Sequence, residues 1–128
     1  MRVGDLPGDG QAETAAAGVA LPGVGRSQQS DIVIGAPNSL TVGLGELGTR
    51  TVWGLQIAVD QINRDGGIKS LGGAKLKLVP ADTTSENPTQ AASLTRRMID
   101  QEGAIIIAGA TASAMTLAAQ VEAEKSQV

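Results

Sequence analysis

The chain has 128 residues, 41% of them hydrophobic, with 10 basic and 13 acidic side chains and a formal net charge of −3. That is enough for one ordinary domain, and it offers no basic stripe for nucleic acid. His, Cys, Phe and Tyr are absent and Trp53 is the one tryptophan, which removes the commonest metal ligands, most nucleophile and base pairs, and the aromatic platforms on which bases stack.

The first segment, residues 1–30, is rich in Gly, Ala and Gln. Within it TAAAGVALPGVG is mildly apolar, like the tail of an export signal, but MRVGDLPGDGQAE upstream carries acids and glycines where a basic region belongs. A degenerate export signal and a disordered leader both fit. No apolar run approaches the roughly 20 residues that a membrane helix needs.

From Asp31 the pattern alternates between strand and helix. Residues 32–34 read as a short strand ending at Gly35, and residues 36–48 as a Gly-rich loop. The next helix, residues 50–63, places Val52, Leu55, Val59 and Ile62 on one face, with Gln56, Asp60 and Asn63 towards water. Gly66 and Gly67 stop it, and Ile68 closes over its last turn. KLKLV, residues 75–79, gives a second strand, after which Asn87 and Pro88 suit the cap and first turn of a helix ending near Gln101.

AIIIA, residues 104–108, is continuously apolar, as expected of a strand covered on both faces in a parallel sheet. A third helix follows from Ser113 to near Lys125, with Leu117 and Val121 one turn apart and alanines beside them, and Val128 reads as the start of a fourth strand. Three βα units in succession imply an α/β fold with a parallel sheet and right-handed crossovers. A strand begun at the last residue makes the chain read as the front piece of a longer protein.

GLGELG, residues 43–48, matches the dinucleotide pattern G-x-G-x-x-G, and Asp82 stands where a ribose-binding acid could be. The spacing argues against it. Gly43 comes eight residues after Gly35 instead of directly after the strand, and Asp82 is 34 residues past Gly48, where about 20 are expected. GATAS, residues 109–113, opens the third helix, whose free N–H groups and dipole suit an anion, with Thr111 and Ser113 as hydroxyl donors. Either hydroxyl could instead cap its own helix. Trp53 reads as packing, and Arg96 and Arg97 as a solvated face.

Taken in order, IVIGAPNSLTVGLGELG, GLQIAVDQINRDGGI, GGAKLKLVPADTTSENPTQAASLTRRMI and GAIIIAGATASAMTLAA resemble the first half of the N-terminal lobe of the type I periplasmic solute-binding proteins of branched-chain amino acid and amide transporters. The resemblance covers residues 31–128. Its most specific parts are the A-V-x-x-I-N-x-x-G-G-I helix ending and the D-x-x-S-x-x-P-x-x-A segment, residues 82–91.

The resemblance implies a two-lobed, hinged α/β protein with sheet order 2-1-3. Such a protein works in the periplasm, closes on a small solute and presents it to the membrane permease of an ABC transporter, with no catalysis and no cofactor. The loops after the first and third strands meet at the switch point where open α/β sheets bind ligands. Here these are the loops through Thr41 and through Ser113. By position Ser113 should donate to the carboxylate or amide oxygen of the solute, with the backbone of Thr111 and Ala112 beside it. The first loop departs from the family's L-[ST]-G-P-x-A-x-Y-G: Val42 and Gly43 replace the Gly-Pro, and Leu47 replaces the aromatic wall. The competing readings are a dinucleotide-binding Rossmann enzyme fragment and a cytoplasmic sensor domain of the same fold.

Overall fold

The computed structural model describes residues 30–84 and 87–128; all but the last residue of the expected leader lie outside them. Three parallel strands, β1 (Ile32–Asn38), β2 (Leu76–Asp82) and β3 (Ala104–Ile107), form a sheet in the order β2-β1-β3, as predicted. The helices are α1 (Gly45–Arg64), α2 (Pro88–Asp100) and α3 (Ser113–Lys125). With right-handed crossovers this order puts α1 on one face of the sheet and α2 and α3 on the other. In agreement, α1 packs on β1 and β2, while α2 packs on α3 and on β1 and β3.

β1 reaches Asn38, four residues past its predicted end. Ile32 N–H donates to Lys75 O and Thr83 N–H to Asn38 O, whereas Ala108 N–H donates to Gly35 O. Even-numbered residues of β1 therefore turn their backbone groups to β2 and odd-numbered ones to β3. Pro37 is odd and lies past Gly35, the last β1 residue aligned with β3, so its missing N–H costs no bond. By the same alternation Pro80 faces the outer side of β2. Prolines survive in sheets at such positions, so a run that looks like a loop is a strand.

Val59 is buried and Val52, Leu55 and Ile62 are half-buried, the predicted face of α1. Asn63 does not turn to water. Its Nδ2 donates to Leu76 O and its Oδ1 accepts from Leu76 N–H, both at 2.8 Å, so the side chain stands in for a neighbouring strand on the outer side of β2. The helix ends as expected: Gly66 and Gly67 take φ of +107° and +80°, and their N–H groups donate to Asn63 O and Ile62 O at 3.2 and 2.8 Å. These are the two bonds of a Schellman ending.

Asn87 caps α2 as predicted, its side chain accepting from Gln90 N–H at 3.2 Å. Arg96 is not merely solvated. Its Nε and Nη2 donate to Glu122 of α3 at 3.0 and 2.6 Å, and Lys125 Nζ donates to the other carboxylate oxygen at 2.9 Å. Lys125 first, then Arg96, hold the Glu122 carboxyl below the ordinary carboxylate range. The buried core is built of Met98, Met115 and small residues such as Ala36, Ala91, Ala104 and Ala119.

Three expectations change on this flank. α3 buries Met115, Ala119, Glu122 and Ala123, and Leu117 and Val121 point outwards, because the alanine face lets α3 sit close to α2. In β3, Ile105 and Ile106 are exposed, so the described residues do not cover this strand on both faces. Val128 is not in a strand: its N–H donates to Ala123 O at 2.9 Å, and Gln127, at φ +60°, donates to Glu124 O at 3.1 Å. These bonds close α3 with a second Schellman ending.

Candidate functional site

The carboxyl ends of the three strands converge on one edge of the sheet. α1 starts at Gly45, five residues before the predicted Arg50, and its first turns lie on the loop that leaves β1. A Cβ on Gly48 would stand 1.8 Å from Ser39 O, and one on Gly45 would stand 3.1 Å from the Leu40 carbonyl carbon. Two glycines of GLGELG are thus helical residues in tight contact with the preceding loop. They do not form a turn that wraps a pyrophosphate. Trp53, on the outer side of α1, is 64% exposed instead of packed.

Asp82, at the end of β2, holds this loop. Its carboxylate accepts from Leu40 N–H at 2.8 Å, Thr41 Oγ1 at 2.7 Å and Thr84 N–H at 2.9 Å. Burial pushes the Asp82 carboxyl up, but the bonds from Leu40, Thr41 and Thr84 together outweigh it and bring the pKa below its ordinary value. Beside it the hydroxyls of Ser39 and Thr83, both fully buried, share a hydrogen bond of 3.3 Å.

On the other side stands Thr111. Its hydroxyl donates to Asn38 Oδ1 at 3.1 Å and accepts from Ser39 N–H at 3.2 Å, while Asn38 Nδ2 donates to Ala108 O at 3.4 Å. Neither Thr111 nor Ser113 caps α3: the cap position is Ala112, without a side-chain bond. Ser113 is exposed at the first helical residue, and among the described residues its hydroxyl has no hydrogen-bond partner. The first N–H groups of α3 point the same way, as they do in any helix.

The predicted site residues thus fall on one edge, and the structure joins only some of them. Thr41 is tied to Asp82 and lines a groove of about 350 Å³ with Leu40, Thr49, Arg50 and Trp53. Leu47 is 54% exposed and lines a neighbouring groove with Leu44, Glu46 and Arg50. Ser113 lines neither. Sequence reasoning missed Asn38, Ser39 and Thr83, and weighed Asp82 only as a ribose ligand; the signal available was a polar run at two strand ends, Asn-Ser closing β1 and Asp-Thr-Thr closing β2.

The edge therefore offers hydroxyls, backbone N–H groups and one helix N-terminus. Among the described residues no group of three His, Cys, Asp or Glu side chains could hold a metal ion, and no helix is long and apolar enough to cross a membrane. Such an edge can bind a polar solute by hydrogen bonds.

The periplasmic binding protein family model matches residues 31–128. The chain belongs to the periplasmic binding protein family. An amino acid binding protein of Pseudomonas aeruginosa is 37% identical over 90 residues, 70% of this chain and 23% of its own. A Leu/Ile/Val-binding protein homolog of Brucella abortus is 35% identical over 111 residues, 86% of this chain and 26% of its own. The solved structure of LivJ, the branched-chain amino acid transporter substrate binding protein of Streptococcus pneumoniae, in complex with isoleucine, superposes with a TM-score of 0.70 at 35% identity, covering 77% of this chain and 27% of that one. The chain thus spans about a quarter of the length of the periplasmic binding proteins it matches. By their names these relatives are amino acid binding proteins or homologs of them.

Proposed function

We propose that residues 31–128 are the first half of the N-terminal lobe of an extracytoplasmic substrate-binding protein, which takes an amino acid, amide or similar small carboxylate and delivers it to the membrane permease of an ABC transporter. The observation that carries this reading is Ser113, an exposed hydroxyl without a partner among the described residues, at the uncapped N-terminus of α3 on the edge where three strand ends meet. A carboxylate there meets a hydroxyl donor, free N–H groups and the positive end of the helix dipole. The isoleucine in the LivJ relative is a solute of this kind.

Thr41, Leu47 and the backbone of Thr111 and Ala112 make up the rest of these residues' share of the pocket. The second lobe closes over the solute, and contacts on both lobes stabilise the shut state. With Leu47 in place of an aromatic wall, apolar selectivity falls mainly to the other lobe. The test is calorimetry of the full-length protein against branched-chain amino acids, other amino acids and amides, beside a Ser113→Ala variant. Binding should weaken roughly tenfold or more in the variant, the loss expected for a hydrogen bond to a charged group. Unchanged affinity removes Ser113 from the site, and silence across the whole panel removes the reading itself.

A further inference from the structure

Thr111 stands where three pieces of the fold come together. Its hydroxyl donates to Asn38 Oδ1 and accepts from Ser39 N–H, and it lies 3.0 Å from the point where a Cβ on Gly48 of α1 would stand. A threonine hydroxyl has one proton to give, and here it is given inwards. Asn38 is fully buried, and its amide passes the tie on to Ala108 O, on the loop that carries Thr111 itself. One hydroxyl therefore links the end of β1 and the loop before α1 to the loop before α3.

We infer that Thr111 is a positioning residue: its side chain does not contact the solute but sets the α1 and α3 N-termini relative to each other, so that the Thr41 loop and Ser113 face one ligand. This rests on the binding function proposed above. The hydroxyl proton of Thr111 is thus not available to the solute, whereas its backbone is. The tie also depends on residue 39 having an N–H to give, which Ser39 provides.

The experiment uses the full-length protein and two variants, Thr111→Val, which keeps the shape and loses the hydroxyl, and Thr111→Ser, which keeps the hydroxyl. Two quantities are read: exchange of the Ser39 amide hydrogen by NMR, without solute, and affinity for leucine and isoleucine. In Thr111→Val the Ser39 amide should exchange roughly tenfold faster and affinity should fall about five- to tenfold, the loss of one ordinary hydrogen bond. Thr111→Ser should restore both. Unaltered Ser39 exchange in Thr111→Val overturns the tie, and a loss that Thr111→Ser does not restore shows that the methyl group matters instead. If the unaltered protein binds neither amino acid, the proposed function fails for these solutes while the exchange measurement still decides the tie.

Discussion

The edge at the strand carboxyl ends and the flank formed by β3 and α3 contrast in what they leave unfinished. At the edge the buried Asn38, Ser39 and Thr83 all have hydrogen-bond partners, and Asp82 accepts three bonds that join the loops after β1 and β2. On the flank Ile105, Ile106, Leu117 and Val121 are 60%, 44%, 64% and 49% exposed, and an apolar groove of about 450 Å³ runs along Ile105, Ile107 and Ala119. Hydrogen bonds are directional and cost most when left unmade, so an edge built of polar groups has to be completed locally to hold its shape. Apolar burial is non-directional, and a surface can wait for whatever covers it.

The largest expected effect tests whether the edge is as tightly closed as its contacts indicate. Gly48→Ala puts a Cβ where Ser39 O already stands, and backbone cannot yield as a flexible side chain does. The substitution should cost about 3 kcal/mol or more, at the upper end of overpacking effects, although alanine is the better helix former. Thermal or urea unfolding measures it. A cost below about 1 kcal/mol, within the range of ordinary substitutions, would mean that α1 does not rest on the β1 loop.

A second, smaller effect belongs to Asp82. Asp82→Ala removes the acceptor of three bonds and should cost about 2 kcal/mol at neutral pH. Because the folded-state pKa lies below the unfolded one, the unfolded chain takes up its proton first as pH falls. The stabilisation is therefore complete above the ordinary carboxylate value of about 3.9 and is lost as pH drops through the folded value. Wild type and Asp82→Ala should converge in stability at low pH. A gap that stays constant down to pH 2 would show that packing, not the carboxylate, accounts for the loss.

Much of the fold could be read from local signals. Asn87 with Pro88 and the Gly66 and Gly67 stop lie where capping and turn chemistry put them, and α3 starts at Ser113 as predicted although neither hydroxyl caps it. Sequence reasoning fell short where tertiary contact reverses a local preference. Gly35, Pro37 and Asn38 look like a turn, and become strand only because β2 supplies the pairing and Pro37 lies past the end of β3. Gly45 and Gly48 are poor helix formers, kept in α1 by the closeness of Ser39 and Leu40. Along the candidate edge, the loops that carry Thr41 and Ser113 could be placed from the order of the elements, but the partners of Thr111 could not. Those bonds span more than 70 positions, and no local pattern records them.

The smallest effect concerns the flank. In the 128-residue chain Ile105→Lys exchanges one exposed side chain for another, so unfolding stability should stay within about 0.5 kcal/mol. What should change is association. A sheet edge that shows Ile105 and Ile106 invites pairing with another copy, and a lysine there is a common protection against it. Sedimentation at rising concentration should show less self-association in the variant. In a longer chain whose further residues cover the flank, the same lysine would be buried and should cost about 3 kcal/mol or more unless it finds a partner. Comparing the cost in the two lengths measures directly how far the flank, unlike the edge, depends on residues beyond those described.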